Sequence, residues 1–119
     1  MAKFLFVVMN DPTNLAESVK AAHALHYAIE LKKEGHDVYV YFDGLGVKIP
    51  ITDSPYKGLK PAYDRALKEG VILGACGYCA SPPHLNVKDK LSSIKLIGDE
   101  EHHYAFTDLV NQGYQIIIS

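Results

Sequence analysis

The sequence predicts an α/β domain in which a mostly parallel sheet of five strands lies between two layers of helices. Apolar runs of strand length alternate along the chain with longer helical segments, an arrangement typical of parallel sheets. Three predicted helices close in a similar way, with Lys33-Glu34-Gly35, Lys68-Glu69-Gly70 and Asn111-Gln112-Gly113, and a strand follows each within a few residues. Such short connections predict right-handed crossovers. The expected fold is a flavodoxin-like three-layer sandwich with strand order 2-1-3-4-5.

The first half of the chain predicts two strands and two helices. Residues 4–9 are continuously apolar, as in a strand that is covered on both faces. The helix predicted over 14–34 is so apolar that it is either deeply buried or shared with a second subunit. Residues 37–42 are mostly β-branched and aromatic, which predicts the second strand. Two prolines within 47–56 predict a loop, and a second helix is expected over 58–69.

The second half predicts three further strands. Residues 71–80 begin as an apolar run and end in Cys76-Gly77-Tyr78-Cys79-Ala80. The adjacent Pro82 and Pro83 exclude a regular helix that leads straight out of this loop. The remaining expectations are a short helical turn over 85–93, a strand over 93–97, a helix over 98–112 with Tyr104 or Ala105, Leu109 and Val110 facing inward, and a last strand over 114–118.

Composition predicts an ordinary globular protein. A chain of 119 residues is long enough to bury a core as one domain spanning residues 1–119. The net charge of −2 and the lack of a basic run argue against a nucleic-acid partner. No apolar run approaches the roughly 20 residues of a membrane span, and the run at 4–9 is too short for the core of a signal peptide. The expected location is cytoplasmic, without a membrane partner.

The only two cysteines, Cys76 and Cys79, are the first candidates for chemistry. Their spacing at a strand end, in a reducing compartment, favours reactive thiols or metal ligands over a structural disulfide. A thioredoxin-like redox pair normally opens a helix, which the following prolines disfavour. A zinc site completed by a histidine such as His84 lacks a matched second pair of ligands. Sulfur transfer through a cysteine persulfide needs only one accessible thiolate. We favour this last chemistry and expect no metal and no cofactor.

The predicted topology brings further residues to the cysteines. In a doubly wound sheet, ligands bind beyond the carboxyl ends of the strands at the switch point. For the order 2-1-3-4-5, this point lies between the first and third strands. Asn10 and Asp11 end the first strand and Cys76 ends the third, so we expect one crevice to hold all three. Gly77 permits a close backbone approach, and Asn10, Asp11, Gly77 and His84 are predicted to contribute to substrate binding.

Two other kinds of function stay open at this point. The chain could be a non-catalytic, oligomeric binding or scaffold protein whose cysteines are structural, because free cysteine is often a small core residue. It could also be a metal-binding module. The carboxylates of Asp43 and Asp53 lie in predicted loops, where such groups usually have no chemical role, and we do not assign them one.

Three features, in their order and spacing, resemble a known family. They are the apolar strand at 4–9 with its Ala-rich helix, the sequence Tyr41-Phe42-Asp43-Gly44-Leu45-Gly46-Val47, and the strand over 70–80 that ends in Cys76-Gly77-Tyr78-Cys79-Ala80. Through them, and over essentially its whole length, the chain resembles the DsrE/DsrF-like proteins of bacterial and archaeal sulfur relay.

This resemblance implies a flavodoxin-like fold, assembly into a homotrimer or homohexamer, and sulfur donor and acceptor proteins as partners. It also implies that Cys76, at the strand end, carries sulfur as a persulfide, with Cys79 as the second candidate. Many relatives have an Arg-Gly pair after the cysteine. This chain has Ser81-Pro82-Pro83-His84 there, so the usual arginine is missing.

Overall fold

The sheet is entirely parallel and contains five strands, as the alternation of apolar and helical segments predicts. The computed structural model describes residues 1–119. The strands are β1 (Lys3–Val8), β2 (Asp37–Phe42), β3 (Ile72–Cys76), β4 (Leu96–Ile97) and β5 (Gln115–Ile118). The helices are α1 (Leu15–Lys33), α2 (Leu59–Lys68), α3 (Gly77–Ala80) and α4 (Thr107–Asn111), with 3-10 helices at Gly44–Ile51 and Lys88–Lys90. No helix combines the length and the apolar character that crossing a bilayer requires.

Helix α1 begins and ends at the residues that the sequence predicts. The side chain of Asn14 caps its first turn by accepting a hydrogen bond from the Glu17 amide at 3.0 Å. Gly35 follows its end with φ +92°, a conformation that favours glycine. Its buried face is mostly alanine with two larger side chains, Leu25 and Ile29, which lets the helix approach the sheet closely. Leu15, the first residue of α1, is 56% exposed although it is apolar.

The strand order is β4-β3-β2-β1-β5, so the predicted order 2-1-3-4-5 was wrong. Each of the first three crossovers moves one position in the same direction, which places β2 between β1 and β3. The chain then returns across the sheet, and β5 pairs with the free side of β1. The switch point of this sheet therefore lies between β1 and β5 and not between β1 and β3.

Strand β2 is central because its side chains are covered on both faces. Phe42 packs against Tyr63 of α2, with ring centroids 5.8 Å apart. On the opposite face, Tyr41 packs against Tyr104 and Phe106, with centroids 5.3 and 5.5 Å apart. Helices α1 and α2 cover the first face, and the segment that connects β4 to β5 covers the second. These are the three layers that the sequence predicts.

Two local predictions were wrong. The segment 98–106 is not helical, because Gly98 has φ +89° and the Asp99 carboxylate accepts hydrogen bonds from the amides of Glu101 and His102, which turns the chain. Helix α4 is therefore short; Leu109 faces inward, whereas Val110 is 52% exposed. The predicted loop over 47–56 begins inside the 3-10 helix Gly44–Ile51.

Candidate functional site

Two thiols and one carboxylate meet at the carboxyl ends of β2 and β3. Cys76 is the last residue of β3, Asp43 follows β2, and Cys79 lies in α3. One carboxylate oxygen of Asp43 and the sulfurs of Cys76 and Cys79 all lie within 4.8 Å of one another. Both cysteines are free thiols. The site exists because β2 and β3 are neighbours in the sheet, so that their ends deliver these three side chains to one place.

The loop after β2 holds Asp43 in a fixed position. The Asp43 amide donates to the carbonyl of Val8 at 3.0 Å, and the Gly46 amide donates to the carbonyl of Asp43 at 2.8 Å. A Cβ atom on Gly46 would overlap the carbonyl oxygen of Val8, so only glycine fits there. The side chain of Asp43 caps the 3-10 helix by accepting from the Gly44 amide at 2.8 Å.

Hydrogen bonds link Cys76 to Cys79, and Cys79 to Asp43. The Cys79 amide donates to the sulfur of Cys76 at 3.4 Å, so that Cys76 caps the start of α3. The thiol of Cys79 donates to Oδ1 of Asp43 at 3.3 Å. Oδ2 of Asp43 accepts no hydrogen bond from the protein, and Asp43 takes part in no ion pair.

The two sulfurs differ in exposure. Cys76 is fully buried, whereas Cys79 is partly exposed. The pKa of Cys79 is raised to about 12, mainly by burial, then by its hydrogen bond and charge interaction with Cys76, and by Asp43; the Gly44 backbone amide opposes this shift. At neutral pH, Cys79 is therefore a thiol that donates its proton to a carboxylate. It is the sulfur that a solvent-borne reagent reaches first.

Tyr41 adds an unsatisfied hydroxyl to the buried side of the site. The residue is 1% exposed, and its hydroxyl has no hydrogen-bond partner. Burial is the main cause that raises the pKa of Tyr41, and the side chain of Cys76 is the next. Tyr41 and Cys76 lie near the ends of the neighbouring strands β2 and β3, where Tyr41 pairs with Gly74. Buried polar groups without partners are uncommon in folded proteins.

Gly77 has a packing role at this site. It is buried, and a Cβ atom on it would overlap the carbonyl oxygen of Gly98. Glycine is therefore needed for α3 to start directly beneath the end of β4. The predicted contribution of Gly77 to substrate binding stays a prediction.

Asn10 and Asp11 do not join the cysteines, because β2 lies between β1 and β3. Asn10 is buried and satisfied: its amide donates to Glu17 at 3.2 Å, and its carbonyl oxygen accepts from the Ser119 hydroxyl at 2.7 Å. The Asp11 carboxylate accepts from the Thr13 amide at 2.9 Å and from the Thr13 hydroxyl at 2.7 Å, and these bonds lower the pKa of Asp11. The single crevice expected from the order 2-1-3-4-5 is therefore absent.

Asn10 instead lines a separate groove at the actual switch point. This groove, of about 590 Å³, lies between α1 and the β1–β5 pair. Apolar side chains such as Phe6, Tyr27 and Ile117 form most of its wall, and Glu17 lies beside Asn10. The switch point, where ligands usually bind in a doubly wound sheet, and the two thiols therefore lie at different places on this protein.

His84 does not belong to the group of ligand atoms formed by Asp43 and the two thiols. It is exposed, and its ring packs on Tyr78 with centroids 4.1 Å apart. The group that completes the thiol pair is Asp43, which the sequence analysis left without a role. The signal that could have identified Asp43 was its position directly after β2, once β2 and β3 were taken as neighbours.

Comparison with known protein families, with curated proteins and with solved structures finds no significant match for this chain. Its function is therefore argued from the chemistry of Asp43, Cys76 and Cys79.

Proposed function

We propose that this protein is a small cytoplasmic sulfur carrier that holds sulfur as a cysteine persulfide and passes it to a partner protein. The observation that supports this function is a partly exposed thiol, Cys79, which donates its proton to Asp43 beside a second free thiol, Cys76. Nucleophilic sulfur chemistry needs such an accessible sulfur, and a second thiol beside it can receive the sulfur that it carries.

The loading step that we propose uses the thiolate of Cys79, which forms when the thiol gives its proton to solvent. This thiolate attacks the outer sulfur of a donor persulfide, R–S–SH. A new S–S bond forms on Cys79, the S–S bond of the donor breaks, and its electron pair remains on the donor thiolate. That thiolate takes a proton from solvent and leaves as R–SH. No net oxidation occurs, and no cofactor is needed.

The exposure of the two sulfurs favours Cys79 as the acceptor, whereas the family resemblance implies Cys76. A donor must approach from solvent, and Cys76 is fully buried. Cys76 lies within 4.8 Å of Cys79 and is the nearby thiol that could exchange sulfur with it. The amide that already donates to its sulfur would also favour a sulfur anion at Cys76.

Loading with a small persulfide or polysulfide tests this proposal. We expect intact mass spectrometry of the reduced protein to show the mass of one added sulfur per chain, which dithiothreitol removes. The Cys79→Ser variant should lose this adduct, and the Cys76→Ser variant should keep it. The absence of any adduct on the wild-type protein would refute sulfur carriage, and an undiminished adduct on Cys79→Ser would refute the assignment to Cys79.

A non-catalytic scaffold is the main alternative, and thiol titration of the folded protein separates the two functions. A sulfur carrier should present one thiol per chain, Cys79, that reacts with a disulfide reagent without denaturant. A scaffold with structural cysteines should present none until the protein unfolds.

We also propose that the chain assembles into a homotrimer or homohexamer and exchanges sulfur with donor and acceptor proteins. Large apolar side chains that are more than a third exposed support assembly: Leu15 and Tyr27 on α1, and Ile117 and Ile118 on β5. Sedimentation should give a mass of three or six chains at micromolar concentration. A monomer under these conditions would contradict this proposal.

A further inference from the structure

We infer that Asp43, Cys76 and Cys79 form a site for one divalent, thiophilic cation of the zinc type, with the Tyr41 hydroxyl supporting the Cys76 ligand. This function is separate from sulfur carriage, and it does not depend on the persulfide chemistry proposed above.

The three ligand atoms are already close to the spacing that a cation requires. They lie within 4.8 Å of one another. Zinc binds cysteine sulfur at about 2.3 Å and carboxylate oxygen at about 2.0–2.2 Å, so tetrahedral ligands lie roughly 3.5–3.8 Å apart. Closing the remaining distance of about 1 Å requires only small side-chain rotations, because the three residues sit at the ends of neighbouring elements.

The charge balance of the site favours a cation. Asp43 is half-buried, forms no ion pair, and has one carboxylate oxygen that accepts no hydrogen bond. No lysine or arginine pairs with it to offset its charge. A bound cation would use the free oxygen and neutralise a carboxylate that is otherwise uncompensated beside two thiols.

The ligand set selects the kind of cation. Two sulfurs and one carboxylate oxygen suit zinc and similar borderline-soft ions, whereas magnesium and calcium prefer oxygen ligands alone. Three protein ligands leave one coordination position open, and the partly exposed Cys79 places that position on the solvent side. A third ligand from Asp43 replaces the histidine, His84, that the sequence suggested for a metal site.

Tyr41 provides a second and independent observation. Its buried hydroxyl has no partner, and Tyr41 lies on β2 next to the strand β3 that ends in Cys76. When Cys76 binds a cation it becomes a thiolate, which is a stronger hydrogen-bond acceptor than a thiol. The Tyr41 hydroxyl can then donate to this sulfur, as outer groups commonly do around metal ligands. Metal binding therefore gives a role to a hydroxyl that is unsatisfied without it.

Cobalt(II), a spectroscopic substitute for zinc, tests this inference directly on the reduced protein. We expect saturation at one cobalt per chain with sulfur-to-cobalt charge-transfer absorption, displacement by zinc, and no competition from excess magnesium. Binding should strengthen as the pH rises, because both thiols must lose their protons.

Variants assign the ligands. Asp43→Asn should weaken binding by at least about tenfold, whereas Asp53→Asn, which changes an exposed carboxylate paired with Lys57, should bind as the wild type does. Cys76→Ser and Cys79→Ser should each lose at least half of the charge-transfer absorption. Tyr41→Phe should weaken binding while leaving the stoichiometry at one.

Several results would overturn the inference. They are no charge-transfer absorption on the wild-type protein, the same affinity in Asp43→Asn as in Asp53→Asn, or undiminished absorption after loss of either cysteine. Unchanged affinity in Tyr41→Phe would refute the supporting role of the hydroxyl. Because loading with sulfur is measured without metal, none of these results bears on sulfur carriage, and a failure of sulfur loading leaves the metal result intact.

Discussion

Replacing Asp43 with asparagine should make Cys79 more reactive at neutral pH. Asparagine keeps an oxygen that can accept from the Gly44 amide and from the thiol, so the change removes mainly the negative charge. A negative charge close to a thiol favours the protonated form, so the loss of this charge lowers the pKa of Cys79 from its raised value of about 12. Burial, the largest cause of the shift, is unaffected, so the pKa stays above that of a free cysteine.

The size of the effect follows from the 3.3 Å contact between the thiol and Oδ1. Two unit charges at this distance interact with about 1 kcal/mol in a water-like dielectric. We use this lower limit of the interaction energy because Asp43 is only half-buried, so that solvent screens its charge. Loss of this interaction lowers the pKa of Cys79 by somewhat less than one unit, which raises the thiolate fraction roughly fivefold. Because thiolate nucleophilicity falls with its pKa, the net gain in rate is roughly two- to threefold.

Alkylation by iodoacetamide in a Cys76→Ser background measures this rate on a single sulfur. With Asp43 intact, the alkylation rate of Cys79 should keep rising from about pH 7 to 10. The alkylation rate of a free cysteine instead levels off above its pKa of about 8.5. Asp53→Asn is the matched control, because it removes an equivalent charge at an exposed position. A rate in Asp43→Asn that is equal to or below that of Asp53→Asn would refute the reasoning, as would a plateau near pH 8.5 in the variant with Asp43 intact.

Three further predictions concern stability, each measured by urea unfolding. Tyr41→Phe should raise the free energy of unfolding of the metal-free protein by about 1 kcal/mol, because it removes a buried hydroxyl without a partner; a loss of stability would show that the hydroxyl is satisfied. Gly77→Ala should cost about 1–3 kcal/mol, because the new methyl group overlaps the Gly98 carbonyl; a neutral effect would contradict this packing. Leu25→Ala, at a fully buried position, should cost about 2–5 kcal/mol, whereas Leu15→Ala, at a residue 56% exposed, should cost much less; equal costs would contradict the assigned face of α1.

The elements that could be predicted are those with strong local signals. Helix α1 has a capping Asn14 and a terminal Gly35, and strand β2 is bounded as predicted at residues 37–42. The segment 98–106 was mispredicted because an acidic turn and a helix start have similar sequences. The turn at Gly98 and Asp99 and the packing of Tyr104 and Phe106 onto Tyr41 keep this segment out of a helix.

The candidate site could be predicted in part. The thiol pair, Cys76 and Cys79, was identified from its spacing and from its position at a strand end. Asp43 was missed and Asn10 was wrongly placed beside the cysteines for one reason, which is that the predicted sheet had β1 next to β3. A carboxylate 33 residues away from a cysteine in the sequence has no local signal that connects the two.

Local patterns in the chain were enough to predict the alternation of strands and helices, the parallel sheet, and a thiol pair at the end of β3. Each of these depends on apolar periodicity, capping residues and spacing. The three-dimensional arrangement was needed to show that β2 lies between β1 and β3, that Cys76 is buried while Cys79 is partly exposed, and that Asp43 lies beside both thiols. These features depend on which strands pair, and that choice is set by the packing of side chains from distant parts of the chain on both faces of β2.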